Sequence, residues 1–142
     1  MFRQLTPHIL VSPQISVADV EQAKAQGVTV IVNNRPDDEE PGQTNGPEIE
    51  AAAKAAGIAY AAVPVAHGGF APWQLDGMAA ALAQAGEGKV LAYCRSGTRS
   101  TLLWALTRAR AGDHPAALTE QAAHAGYDVT PVRQIMDALA AG

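Results

Sequence analysis

Short apolar runs alternate along this chain with alanine-rich segments of helical length. The run VTVIVN at 28–33 is apolar almost throughout, which is typical of a strand buried on both faces of a sheet. Other strands are predicted at 8–12, 58–65 and 89–93, and helices at 16–26, 46–56, 72–85, from about 99 and in two segments after 113. The alternation predicts an α/β fold, in which a single-domain parallel sheet of four to five strands is flanked by helices.

Length and charge narrow the choice of partners and of compartment. The 142 residues fit one domain over 1–142, since domains commonly have about 100–150 residues. A net charge of -4 disfavours nucleic acid or an anionic membrane as the main partner. No apolar run approaches the ~20 residues of a membrane span, and the single cysteine fits a reducing compartment, so we expect a cytoplasmic protein. The oligomeric state is left open.

One strand leads into the segment CRSGTRS at 94–100, which we name the Cys94 loop. An apolar helical pattern follows it, so Cys94 is predicted to lie at a strand-to-helix turn. Backbone N–H groups in such a turn, together with the unpaired first N–H groups of the helix, bind anions; we expect this role at Ser96, Gly97 and Thr98. Ligands bind beyond the carboxyl ends of parallel strands, so the loops after 33 and after 65 are expected to meet this one.

The side chains of the Cys94 loop suit an anion and a reactive thiol. Arg99 is able to grip an oxyanion with two hydrogen bonds, and Arg95 adds positive potential that favours the thiolate of Cys94. Gly97 permits a backbone bend that other residues resist. Ser100 lies at a suitable offset to donate a hydrogen bond to the sulfur. The alternative is a buried, inert cysteine beside two surface arginines, and the combined spacing favours function.

The loop resembles the active loop of two superfamilies, the cysteine-dependent tyrosine and dual-specificity phosphatases and the rhodanese sulfurtransferases. Over nearly its full length, the chain also resembles a bacterial family, the phosphatase-like domain of beta-lactamase-hydrolase-like proteins, whose members have also been labelled sulfurtransferases. The segments that carry this resemblance are QLTPHILVSPQIS, IVNNRPDDEEPGQ, YAAVPV and CRSGTRSTLLWAL. It implies a dual-specificity-phosphatase-like fold.

Carried over to this chain, the resemblance implies that Cys94 is the nucleophile and that Arg99 binds phosphate. It implies that Ser100 stabilises the thiolate or the leaving group and that Gly97 shapes the loop. Two features depart from the phosphatase pattern. Four residues separate Cys94 from Arg99, where phosphatases usually have five and rhodanese loops have the shorter form, and Tyr93 stands where a histidine is usual. The smaller loop suits a persulfide sulfur better than a tetrahedral phosphate. Both the shorter spacing and Tyr93 count against efficient phosphatase chemistry.

Phosphatase chemistry also needs an acid that protonates the departing oxygen. The resemblance places an aspartate after the third predicted strand, but this stretch contains no carboxylate and His67 is the nearest candidate. The alternative for His67 is a turn residue without a catalytic role.

The loop after the second predicted strand supplies further candidates. Asp37 and Asp38 are alternative acids, and Asp37 is also a candidate for substrate binding. The alternative is that the acidic run at 37–40 is a solvated loop. Such a run is a weak metal signal, and no metal or cofactor is expected. Arg35 follows a strand end and points either to the substrate or into water.

Three functions remain after these observations. The first is a phosphatase-like hydrolase that forms a phosphocysteine on Cys94 from a small anionic or phosphorylated substrate. The second is a rhodanese-like sulfurtransferase that forms a persulfide on Cys94, which the short loop and the absent aspartate favour. The third is an anion-binding or redox-sensing module without turnover. The resemblance along the chain favours the first.

Overall fold

Five strands form one sheet in the computed structural model, which describes residues 2–66 and 68–142. They are β1 (Arg3–Thr6), β2 (Ile9–Ser12), β3 (Val28–Asn33), β4 (Ala59–Ala62) and β5 (Lys89–Tyr93). Their order across the sheet is β1-β2-β5-β3-β4. β2, β5, β3 and β4 are parallel to one another, whereas β1 pairs with β2 antiparallel. β5, the strand that leads into Cys94, therefore lies in the centre of the sheet.

The helices follow the strands as the alternation predicts. They are α1 (Val17–Ala25), α2 (Gly46–Ala55), α3 (Pro72–Gln84), α4 (Thr98–Arg110), α5 (Pro115–His124) and α6 (Arg133–Ala140). Ser16 caps α1 through a reciprocal pair of hydrogen bonds with Asp19, which satisfies backbone donors that the first turn leaves unpaired. None of the described helices combines the length and the apolar character that crossing a bilayer requires.

Apolar side chains cover both faces of the sheet. On β3, Val30 and Val32 point to one face and pack with Trp104 of α4, while Ile31 points to the other and packs with Ile49 of α2. This alternation follows from the two-residue period of a strand. The prediction that the run at 28–33 is buried on both faces is confirmed, and so is the α/β fold with helices on both sides.

Three details differ from the sequence prediction. The strand β1 was not predicted, because its polar sequence RQLT lies at the edge of the sheet with two exposed side chains. β4 ends at Ala62 instead of 65, because the register breaks there: the N–H groups of Val63 and Val65 donate at 2.9 Å to the adjacent carbonyls of Asn33 and Asn34 instead of to carbonyls two residues apart. The second helix predicted after 113 is preceded by a short 3-10 turn at Thr130–Val132, instead of beginning directly from the loop.

Candidate active site

Cys94 follows β5 directly and is fully buried. Its backbone N–H donates to the Ser12 carbonyl of the neighbouring strand at 3.3 Å, which fixes the start of the loop. At the other end, Gly97 takes a left-handed conformation with φ of 92° and caps α4. The Gly97 N–H donates to Cys94 Sγ at 3.1 Å. The sulfur therefore lies at the N-terminal end of α4, at the predicted strand-to-helix turn.

Several donors of the Cys94 loop remain available to a ligand. The backbone N–H groups of Arg95, Ser96 and Arg99 have no acceptor within residues 2–66 and 68–142. The hydroxyls of Ser96 and Thr98 lie 3.1 Å apart and are exposed. Unpaired N–H groups at a helix N-terminus attract anions, so this segment has the donors that an oxyanion site needs.

Arg99 brings two further loops to the sulfur. Its Nη1 donates to the Val65 carbonyl at 2.6 Å and to Glu39 Oε2 at 2.8 Å, and its Nη2 donates to Glu39 Oε1 at 2.8 Å. These hydrogen bonds to Glu39 raise the pKa of Arg99, burial opposes the rise, and the charge of the nearby Cys94 adds to it. The loops after β3 and after β4 thus meet the Cys94 loop, as predicted.

Glu39 is the central acidic residue of the site, and the sequence did not single it out. Besides Arg99 it accepts a hydrogen bond from Arg35 Nε at 2.8 Å. The hydrogen bond from Arg99, and then that from Arg35, lower the pKa of Glu39 to about 2 although burial opposes them. Glu39 is therefore a carboxylate at neutral pH and holds two guanidinium groups together.

Arg35 points into the protein, where only 3% of it is exposed. Its Nη1 donates to Gln14 Oε1 at 3.0 Å and its Nη2 to Glu40 Oε1 at 2.9 Å, in addition to the bond with Glu39. Burial lowers the pKa of Arg35, but these carboxylates outweigh it and the pKa is raised overall. Glu40 Oε2 also lies 3.6 Å from Nη2 of Arg95 in the Cys94 loop. Arg35 is thus a partner of the acidic loop, and its expected contact with substrate stays a prediction.

Asp37 and Asp38 close their own loop. Asp37 Oδ1 accepts a hydrogen bond from the Gly46 N–H at 2.7 Å, at the start of α2. Asp38, in a left-handed conformation with φ of 61°, accepts from Asn45 Nδ2 at 2.9 Å. No described hydrogen bond or ion pair joins either carboxylate to the Cys94 loop. Among the residues that the structure describes, no three His, Cys, Asp or Glu side chains are grouped so that they could hold a metal ion.

The Ser100 hydroxyl has a different partner from the expected one. It donates to Asn34 Oδ1 at 2.8 Å, and Asn34 Nδ2 in turn donates to the Val63 carbonyl at 2.8 Å. A hydroxyl carries one proton, so the expected hydrogen bond from Ser100 to the sulfur is absent from this arrangement. The physical reason is that the buried Asn34 oxygen needs a donor, which Ser100 supplies.

Two further residues from the sequence analysis are Tyr93, which stands where a histidine is usual, and His67, the nearest acid candidate. Tyr93 is fully buried, and its hydroxyl has no hydrogen-bond partner in the described part of the chain. Burial raises the pKa of Tyr93 far above its ordinary value, so it stays protonated at neutral pH. His67, the nearest acid candidate, lies outside the described residues, and its role stays a prediction.

Sequence comparisons identify similar proteins. Residues 1–111 match the family model described as "Beta-lactamase hydrolase-like protein, phosphatase-like domain". A beta-lactamase hydrolase-like protein of Agrobacterium fabrum is 35% identical over 109 residues, which are 77% of this chain and 25% of that protein. One from Xylella fastidiosa is 33% identical over 126 residues, 88% of this chain and 29% of that protein. The chain thus spans between 25% and 29% of the length of these curated relatives.

Solved structures agree with this similarity. A candidate phosphatase from Neisseria meningitidis superposes with a TM-score of 0.83 and 33% identity, and the match covers 96% of each chain. TpbA of P. aeruginosa gives a TM-score of 0.66 at 20% identity, covering 99% of this chain and 88% of TpbA. PTPMT1 gives 0.72 at 17% identity, covering 99% and 97%. At such low identity, the last two show the fold alone.

Proposed function

The chain belongs to the family of phosphatase-like domains of beta-lactamase hydrolase-like proteins, and we propose that it hydrolyses phosphate monoesters through Cys94. One observation carries the proposal. The buried sulfur accepts the Gly97 N–H at 3.1 Å, beside backbone N–H groups that have no acceptor among the described residues and beside the Arg99 guanidinium. A thiolate is the nucleophile and the N–H groups are the oxyanion donors that phosphoryl transfer requires.

The reaction has two displacements at phosphorus. The thiolate of Cys94 attacks, the S–P bond forms, and the O–P bond to the departing group breaks as its oxygen takes a proton. Water then attacks the phosphocysteine, the new O–P bond forms, and the S–P bond breaks to restore the thiolate and release phosphate. The loop N–H groups and Arg99 hold the equatorial oxygens through both steps.

Arg99 keeps donors for this task despite its bonds to Glu39. A guanidinium has five N–H groups, and Glu39 and the Val65 carbonyl together occupy three of those on Arg99. One N–H on Nε and one on Nη2 have no oxygen acceptor among the described residues, and the Cys94 sulfur lies close to this guanidinium. Two parallel N–H groups of this kind match two oxygens of a phosphate. Glu39 therefore orients Arg99 without competing for the donors that we assign to the substrate.

Two structural neighbours support phosphate as the recognised group. TpbA has been crystallised with pTyr, and PTPMT1 with PI(5)P. For this chain we propose a small phosphorylated substrate, with His67 as the first candidate for the acid. The Val65 carbonyl, two residues before His67 in the chain, accepts a hydrogen bond from Arg99, so the chain reaches the site shortly before His67.

A sulfurtransferase is the second candidate, and the four-residue spacing between Cys94 and Arg99 favours it. In that reaction the thiolate attacks the sulfane sulfur of thiosulfate, an S–S bond forms as another breaks, and sulfite leaves. A nucleophile such as cyanide then removes the sulfane sulfur as thiocyanate and restores the thiolate. This route needs no acid for an oxygen leaving group.

The deciding experiment compares wild type with Cys94→Ser on p-nitrophenyl phosphate and on thiosulfate with cyanide. We expect nitrophenol release by wild type, inhibition by vanadate, and loss of release in Cys94→Ser, which removes the only thiol of the chain. A variant of an exposed residue, Glu21→Gln, serves as the control for handling and folding. Thiocyanate without nitrophenol would replace the phosphatase by the sulfurtransferase. If neither product forms, both enzyme proposals fail and an anion-binding or redox-sensing module remains.

A further inference from the structure

The peptide unit between Ser96 and Gly97 is held at both ends. Its N–H, on Gly97, donates to Cys94 Sγ at 3.1 Å. Its carbonyl, on Ser96, accepts a hydrogen bond from the Tyr127 hydroxyl at 3.0 Å. A trans peptide is planar, and its C=O and N–H point in opposite directions. Tyr127 therefore binds the outer end of the same peptide whose inner end contacts the sulfur.

Tyr127 comes from a part of the chain beyond the family match, which ends at residue 111. It follows α5, where Gly126 takes a left-handed conformation with φ of 92° and the Tyr127 N–H returns to the Ala122 carbonyl at 2.9 Å. This arrangement ends the helix and turns the chain toward the Cys94 loop. Arg3 of β1 donates to the Ala125 carbonyl at 3.3 Å and ties this corner to the sheet edge. The backbone that carries Tyr127 is thus held by two hydrogen bonds.

The ring also explains why a glycine stands at position 97. A Cβ added to Gly97 would collide with the hydroxyl oxygen of Tyr127, and the φ of 92° would strain any other residue. Burial raises the pKa of Tyr127, Arg3 opposes the rise and the charge of Cys94 adds to it, so the phenol stays a hydrogen-bond donor at neutral pH. The contact is therefore both close and of the correct polarity.

We infer that Tyr127 is a positioning residue for Cys94: by holding the Ser96 carbonyl outward, it keeps the Gly97 N–H directed at the sulfur and so stabilises the thiolate. The inference rests on the proposed function only in that Cys94 is the nucleophile. Without the phenol, the peptide is free to tilt, and the sulfur loses a donor that neutralises part of its charge. Loss of the net contribution of one hydrogen bond changes the ratio of thiolate to thiol about three- to tenfold.

The test is a titration of the thiolate by its ultraviolet absorbance in wild type and in Tyr127→Phe. Each protein is compared with a blank that also carries Cys94→Ser, so that only the thiolate contributes to the difference. We expect the titration of Tyr127→Phe to move to higher pH by about 0.5–1 unit, which is the same three- to tenfold change. The matched control is Tyr60→Phe, which removes another partly buried phenol, bonded to Asn33 at 3.0 Å; its titration is expected to match that of wild type.

Thermal unfolding of both variants separates positioning from a merely structural role. A fall in Tm in Tyr127→Phe with an unchanged thiolate titration would overturn the inference, and so would an equal titration shift in Tyr60→Phe. The titration requires no turnover. If wild type hydrolyses no phosphate ester, the proposed function fails while the titration still decides the role of Tyr127. If hydrolysis is found and the titration does not move, only the inference fails.

Discussion

Glu39 and Arg99 form a two-point ion pair, with Nη1 and Nη2 each 2.8 Å from a carboxylate oxygen. The residues are 60 positions apart: Glu39 lies in the loop after β3, and Arg99 lies at the start of α4, which follows the neighbouring parallel strand β5. The same carboxylate also accepts from Arg35, so Glu39 is shared between two guanidinium groups. The guanidinium that we assign to phosphate binding is therefore oriented before any substrate arrives.

Removal of this charge is expected to weaken both the fold and the site. In Glu39→Gln the amide cannot accept from Arg99 with both atoms, so Arg99 loses its carboxylate partner, whereas Arg35 retains Glu40. We expect the free energy of unfolding to fall by about 2 kcal/mol, and kcat/KM for p-nitrophenyl phosphate to fall about tenfold because Arg99 is less well oriented. Urea unfolding and steady-state kinetics measure the two effects. Glu21→Gln, an exposed change in α1, is expected to alter neither, and equal behaviour of the two variants would contradict the role of Glu39.

The same carboxylate predicts how stability depends on pH. The pKa of Glu39 is lowered to about 2 in the folded protein, so the unfolded chain binds a proton there at a higher pH than the folded one does. The stabilisation from this group is present above the ordinary pKa of a glutamate and is lost as the pH falls from about 5 toward 2. Urea unfolding at several pH values is expected to show the difference between wild type and Glu39→Gln shrink over this interval. A constant difference would mean that the charge of Glu39 does not act in this way.

The features that could be predicted from the sequence are those that short stretches of chain determine. The alternation of strands and helices and the turn at Cys94 depend on neighbouring residues, and both were predicted. The contacts of Glu39 with Arg99, of Asn34 with Ser100 and of Tyr127 with Ser96 were not, because they join residues 60, 66 and 31 positions apart. No local pattern marks such pairs.

One signal for Glu39 was nevertheless present in the sequence. Two arginines in the Cys94 loop, placed on the same sheet edge as Arg35, needed acidic partners, and the run at 37–40 is the acidic segment of that edge. The run was interpreted as a solvated loop or as a source of acids. Which of its four carboxylates faces the arginines depends on loop conformation, and Asp37 and Asp38 instead bond to Gly46 and Asn45.

The hydroxyl of Tyr93 offers a test of packing next to the nucleophile. It is fully buried and has no partner within residues 2–66 and 68–142, and an unsatisfied buried hydroxyl is destabilising. We expect Tyr93→Phe to raise the free energy of unfolding by about 1 kcal/mol, measured by urea unfolding. Tyr60→Phe, which removes a bonded hydroxyl, is expected to lower it. Destabilisation by Tyr93→Phe would mean that the hydroxyl has a favourable interaction.

A variant of Ser100 distinguishes two roles of its hydroxyl. The resemblance implies that it stabilises the thiolate or the leaving group, whereas its observed contact is a hydrogen bond to Asn34. The hydroxyl donates to Asn34 Oδ1 at 2.8 Å in a fully buried position, so Ser100→Ala leaves that oxygen without its donor. We expect a loss of about 1–2 kcal/mol in the free energy of unfolding, with kcat on p-nitrophenyl phosphate within about threefold of wild type. A double-mutant cycle with Asn34→Ala is expected to give a coupling of about 1 kcal/mol between the two side chains. A loss of kcat by about a hundredfold or more at unchanged stability would instead assign the hydroxyl to the thiolate or the leaving group, because only a group that acts in the transition state lowers kcat in that way.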